Sequence, residues 1–215
     1  MSVQLLIATR SAGKMREIRR ILGEVPDLDV LGLDDAGIDY RPEEEGLEPY
    51  DTFEENALSK ARYFAARSGL PTVADDSGIA VDALGGAPGV RSKRFACDGG
   101  VAPPDLDGQS LDDANNRHLV ARLRDVPEQE RTARYVCVAA LVMNDASMPT
   151  YFRGEAHGRI VDEPVGAGGF GYDPHVFHEE LGRTYAQMTP GEKDARSHRG
   201  AAFQALATHL GQESR

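Results

Sequence analysis

The chain has 215 residues, room for one sizeable core and a second small lobe, and no apolar run approaches the ~20 residues that cross a bilayer. With 24 Lys and Arg against 35 Asp and Glu, the formal charge is -11, which argues against nucleic-acid binding along an extended backbone and leaves any bound phosphate to local cations. Cys97 and Cys137 make no disulfide framework, and the start Met1-Ser2-Val3-Gln4-Leu5 has no export-signal pattern, so a cytoplasmic protein without a membrane partner is expected.

Val3 to Ala8 is a short continuous apolar run with the character of a buried strand. After it, Met15, Ile18 and Leu22 recur at helical spacing up to a stop at Gly23. The turn between, Thr9-Arg10-Ser11-Ala12-Gly13-Lys14, combines hydroxyls, a glycine, a lysine and a helix amino terminus, the parts of a phosphate cradle. A Walker A loop would need glycine at Ala8 and Ser or Thr at Met15, so that reading fails at both ends. An N-capped helix with a surface lysine is the alternative. Val30 to Leu33 reads as a second strand and the acidic stretch Asp34 to Tyr50 as loop. Thr52 and Glu55 form a capping-box spacing for a helix to about Ser68, whose stripe is Phe53, Ala57, Ala61 and Phe64. Asn56 and Lys60 lie four apart on a neighbouring face.

Pro71 to Ala74 leads into Asp75-Asp76-Ser77-Gly78, where an apolar segment breaks off into two adjacent carboxylates. Such a pair resists desolvation, which points to a divalent metal or a proton to handle; a solvated turn is the alternative. On a strand, only one of the two could face a given cleft. Ile79 to Leu84 reads as a short strand before the Gly85-Gly86-Ala87-Pro88-Gly89 turn, and Cys97 to Ser110 as a long surface loop. A helix from Ser110 through Leu123 and strands over Ala133 to Met143 and Thr150 to Val161 follow, with Cys137 a small core residue. Gly168-Gly169-Phe170-Gly171-Tyr172-Asp173-Pro174 sets rings among glycines, open to a flat ligand or else a tight turn with aromatic plugs. His175 and His178 lack a second ligand pair for zinc. In the closing helix, Phe203, Leu206 and Leu210 follow Lys193, His198 and Arg199, three cations at a helix start that works against them unless an anion sits between. Ser197 and His198 point about 100° apart and make no nucleophile and base pair. The pattern predicts an α/β protein with one central twisted sheet, split into two lobes around a cleft.

Taken together, the Thr9 to Lys14 turn, Thr52-Phe53-Glu54-Glu55-Asn56-Ala57 with Lys60, Ala74 to Gly78, Gly85 to Val90, Gly168 to Pro174 and Ser197-His198-Arg199 resemble the inosine triphosphate pyrophosphatase family along nearly the whole chain. The resemblance implies a single domain, residues 1–215, with an elongated α/β fold: a central mixed sheet flanked by helices, and a nucleotide held between two lobes. It also implies a magnesium-dependent homodimer hydrolysing deaminated purine nucleoside triphosphates (ITP, dITP, XTP) to monophosphate and pyrophosphate. By position, Glu44, two before Gly46, and Asp76 match the metal-binding acids, with Asp76 also the general base; the lengthened acidic loop leaves Glu43 and Glu45 as alternatives. Lys14, Lys60, Lys193 and Arg199 match residues at the nucleotide, with Ser77 beside them, and Phe170 to Asp173 with His198 match the base-recognition side. Ser11 stands where the family commonly has asparagine.

Overall fold

The computed structural model describes residues 3–143 and 148–213; Met1 and Ser2, which belong to the reading of the chain's start, lie outside them. In chain order the elements are β1 (Val3–Ile7), α1 (Ala12–Leu22), β2 (Leu28–Leu31), α2 (Phe53–Ser68), β3 (Thr72–Val81), α3 (Phe95–Asp98), α4 (Gly108–Arg122), β4 (Thr132–Val142), β5 (Thr150–Ile160), β6 (Val176–His178), β7 (Arg183–Thr184), α5 (Pro190–Arg196) and α6 (His198–Glu213). The strands form one open sheet in the order β2-β1-β3-β4-β5-β6-β7. It is mixed: β1 pairs parallel with β2 and β3, and β6 pairs antiparallel with β5 and β7. Among the described residues no helix is long and apolar enough to cross a membrane.

The chain divides into two compact units, Met1–Asp76 with Cys137–Gly154 and Ser197–Arg215, and Ser77–Val136 with Glu155–Arg196. In the first, β1 lies between two strands, so the apolar Leu5, Leu6 and Ile7 are all buried, while Val3 and Gln4 at its start stay exposed. Leu5 and Ile7 pack with Ile18 and Leu22 of α1 and with Phe203 and Leu206 of α6. Each such side chain contributes about 1.5–3 kcal/mol by leaving water. Ser11 caps α1 by accepting from the Lys14 amide, and Thr52 caps α2 by accepting from the Glu55 amide. The core of the second unit gathers Ile79, Val81, Leu119, Leu123, Tyr135, Ile160, Tyr172 and Tyr185.

Several expectations from the sequence need correction, among them the separate strand over Ile79 to Leu84, whose first part belongs to β3 and whose rest is a 3-10 turn. β3 does not break off at the paired aspartates; it runs unbroken through Asp75 to Gly78, and both carboxylates are buried. Gly78 is what lets a neighbouring segment close on the strand, since a Cβ there would stand 2.2 Å from the Gly89 carbonyl oxygen. The stretch from Cys97 to Ser110 is not all loop, because α3 reaches Asp98 and α4 begins at Gly108. The closing helix is two helices, broken at Ser197, whose hydroxyl accepts from the Gly200 amide at 3.0 Å and starts α6 anew.

Candidate active site

The alternation of a strand sends Asp75 and Asp76 to different partners. Asp75 Oδ2 meets Lys14 Nζ at 3.0 Å, Arg199 Nη2 at 3.4 Å and Cys137 Sγ at 3.7 Å, all within the first unit. Burial pushes its carboxyl up, but the charges of Lys14, Arg199 and Lys60 outweigh burial and hold it well below the usual carboxylate range. Arg199 also pairs with Glu17 at 2.7 Å. Its side chain is 3% exposed, so the guanidinium expected beside a nucleotide is packed between two carboxylates.

Asp76 accepts from Asn56 Nδ2 at 3.0 Å. Here burial wins: it raises the carboxyl, the nearby Glu48 raises it further, and Lys60, Lys14 and the Asn56 hydrogen bond lower it without reversing the direction. Lys60 Nζ bridges the group, ion-pairing with Glu48 and donating to the Asp75 backbone carbonyl at 2.5 Å. Burial works against its charge, but Glu48, Asp76 and Asp75 keep it protonated. Asn56 also exchanges two hydrogen bonds with the Tyr50 backbone, at 2.9 and 3.1 Å, tying the end of the acidic loop to α2.

Glu48 is thus the acid whose charge acts on Asp76, held there by Lys60, and Glu44 is occupied elsewhere. Glu44 takes two hydrogen bonds from Arg10, at 3.0 and 2.9 Å, one from Arg67 at 3.1 Å and one from the Arg41 amide at 3.1 Å. Arg10, expected at the ligand, is committed to this cluster, with Asp34 at 3.6 Å on its other side. Glu43 and Glu45 flank Glu44 in the same 3-10 turn, Pro42–Gly46, and Glu45 accepts from the Tyr40 hydroxyl. The signal for Glu48 was its place four residues before the Thr52 cap, on the segment feeding directly into α2. Among the described residues no trio of His, Cys, Asp or Glu gathers into a metal cage. The Glu48 and Asp76 carboxylates, both close enough to Lys60 to act on its charge, are nonetheless a donor set that suits Mg²⁺, which takes one or two protein oxygens and fills the rest with water and phosphate.

The Thr9 to Lys14 turn is a capped helix start. Thr9 Oγ1 accepts from the Ser11 amide at 3.2 Å and Ser11 Oγ from the Lys14 amide at 3.3 Å, while Ala12 and Gly13 open α1. His198 is buried at the start of α6, and Ser77 is half-buried on β3 just after Asp76.

A second cluster lies within the other unit. Lys193 Nζ is 2.7 Å from Asp173 Oδ2 and 5.0 Å from the centre of the Phe170 ring. Asp173 also accepts from the Phe170 amide at 3.0 Å and the Tyr135 hydroxyl at 3.2 Å. Gly169 sits at φ +75°, where a Cβ would collide with the Asp173 carboxylate at 2.1 Å. Asp112 and Asn116 of α4 grip Gly171 by its amide, at 2.8 Å, and its carbonyl, at 2.9 Å. Tyr172 departs from expectation: its ring belongs to the core and its hydroxyl donates to the Ser92 carbonyl at 2.7 Å, so Phe170 is the half-buried ring. His175 turns Nδ1 to the Val161 carbonyl at 2.9 Å.

Residues 5–209 match the Ham1 family. A relative from Nocardia farcinica named dITP/XTP pyrophosphatase is 48% identical over 210 residues, covering 96% of this chain and 94% of that protein. One of the same name from Geobacter sulfurreducens is 45% identical over 208 residues, covering 97% and 96%. Among solved structures, a HAM1 protein from Coxiella burnetii aligns with a TM-score of 0.81 at 32% identity over 98% of this chain and 99% of its own.

Proposed function

The chain belongs to the Ham1 family, and from that footing we propose that it hydrolyses deaminated purine nucleoside triphosphates, XTP, ITP and dITP, to the monophosphate and pyrophosphate. One observation carries the chemistry: adjacent aspartates on β3 divide the labour, Asp75 seating Lys14 and Arg199 while Asp76 is left with Asn56, Glu48 and Lys60.

In this reading Asp76 is the general base. Its carboxyl, raised by burial, accepts a proton from water as the water oxygen bonds to the α phosphorus and the bridging oxygen departs with pyrophosphate. Lys14 and Lys60 meet the charge that spreads over the phosphate oxygens, and the Ala12 and Gly13 amides that open α1 add donors beside Lys14. Glu48 and Asp76 would hold Mg²⁺, which when bound withdraws charge from phosphate oxygens. By the family resemblance, Phe170 offers a ring to the purine, and Asp173 and His198 belong with base recognition, while Lys193 pairs with Asp173. A site that donates to O6 leaves its donors unpaired against the amino group of adenine, which favours 6-oxo purines. The homodimer and the cytoplasmic location implied by the family resemblance complete the proposal.

Phosphorus NMR of XTP incubated with enzyme and Mg²⁺ tests it. Pyrophosphate and XMP are the expected products; orthophosphate would mean a terminal phosphatase, and unchanged XTP a binding protein. Equal rates on XTP, ITP, GTP and ATP would remove base selection.

A further inference from the structure

The connection from β2 to α2 is long and acidic, and its one turn of regular structure is Pro42–Gly46. Connections of this length without elements of their own are uncommon in compact domains and tend to carry function. Of the three consecutive acids in that turn, Glu44 is the one folded inward, with its side chain 7% exposed. Its partners come from three separate stretches: Arg10 in the turn before α1, Arg67 in the last turn of α2, and the Arg41 amide of the loop itself. Arg67 holds the loop a second time, donating to the Asp39 carbonyl at 3.0 Å. Both guanidiniums lie over rings of α2, Arg10 at 6.0 Å from Phe64 and Arg67 at 5.5 Å from Tyr63.

Glu48 is thus strung between two anchors, the Glu44 cluster behind it and the Asn56 grip on Tyr50 ahead. Its own ion pair with Lys60 is 42% exposed on the glutamate side, and pairs that open to water contribute little to stability, too little to fix a loop alone. Arg67 and Lys60 stand seven residues apart on α2, about two turns along one face, so the helix receives the loop at two points.

We propose that Glu44 is a positioning residue: by joining Arg10 to Arg67 it fixes the acidic loop so that Glu48 stands beside Asp76, and thereby sets the affinity of that carboxylate pair for a divalent cation. This rests on the reading of Glu48 and Asp76 as the metal acids.

The test uses the full chain and Mn²⁺ as the probe, with binding followed by electron paramagnetic resonance in the absence of nucleotide. Glu44→Gln keeps the shape and removes the charge. It should weaken Mn²⁺ about tenfold, in the range seen when outer groups that orient metal ligands are lost. The Mg²⁺ concentration for half-maximal XTP hydrolysis should rise by the same factor, with kcat at saturating Mg²⁺ unchanged. Arg67→Gln should reproduce the effect and Arg67→Lys should not, which keeps the test alive if Glu44→Gln fails to fold. Wild-type Mn²⁺ binding in both charge-removing variants, or a loss of kcat with unaltered metal dependence, overturns the proposal. Glu48→Gln separates the two levels: if it weakens Mn²⁺ and Glu44→Gln does not, only the positioning claim falls. If Glu48→Gln binds Mn²⁺ as wild type does, the metal pair itself falls and the positioning claim falls with it.

Discussion

Lys14 Nζ stands 3.0 Å from Asp75 Oδ2, and Arg199 reaches the same oxygen, so one buried carboxylate holds cations from the first and last helices of the chain. Asp75 is 2% exposed and Arg199 likewise 2%. Removing one member of such a cluster leaves the others charged and desolvated.

Asp75→Asn should therefore cost about 3–5 kcal/mol, read as a lower urea midpoint at pH 7. The sign of its pH dependence follows from the depressed carboxyl. The stabilisation is complete above the ~3.9 of an unfolded aspartate and disappears as pH falls through the folded value. The gap between wild type and variant should hold steady from neutral pH down to about pH 5 and narrow only in stronger acid.

Asp76→Asn should behave in the opposite way. Burial raises this carboxyl, so the ionised form is a cost to the fold that the amide removes. Melting in EDTA should show the variant at least as stable as wild type, while XTP turnover falls by about 10² to 10⁴, the span of a lost general base. Near wild-type turnover would take Asp76 out of the mechanism.

Lys60→Met removes the ammonium that bridges Glu48 and the Asp75 carbonyl. A drop of about 10² in kcat on XTP is expected, comparable to deleting one preorganised donor from a charge-stabilising site. Steady-state kinetics at saturating XTP and Mg²⁺ measures it; an effect confined to KM would assign Lys60 to ground-state binding.

Phe170→Ala takes away the ring that lies over Lys193. Stacking of a base on an aromatic side chain is worth about 1–3 kcal/mol, so KM for XTP should rise about 5- to 150-fold with kcat little changed. The partner change Tyr172→Phe should instead act on stability, by about 1 kcal/mol, because that hydroxyl serves the Ser92 carbonyl in the core.

Local chemistry made much of this legible before any coordinates. The apolar run Val3 to Ala8, the Thr52 and Glu55 capping pair and the Ser11 to Lys14 turn are decided within a few residues of chain, and each formed where the spacing put it. Glu44 illustrates what was not legible. Whether it or Glu48 reaches Asp76 depends on the course of a loop fixed by Arg10 and Arg67, which lie 34 and 23 residues away. Tyr172 and Phe170 sit two apart among glycines, and nothing local tells which ring turns to the core. The break at Ser197 was hidden for a similar reason, since serine caps a helix only if the preceding turn ends there.

Phe203 and Leu206 close a core begun by Leu5 and Ile7. A nascent polypeptide leaving the ribosome therefore keeps one side of that core open until α6 has been made, long after β1. Premature termination anywhere upstream of Phe203 would leave that greasy surface uncovered, a target for chaperones and proteases rather than a partly working enzyme.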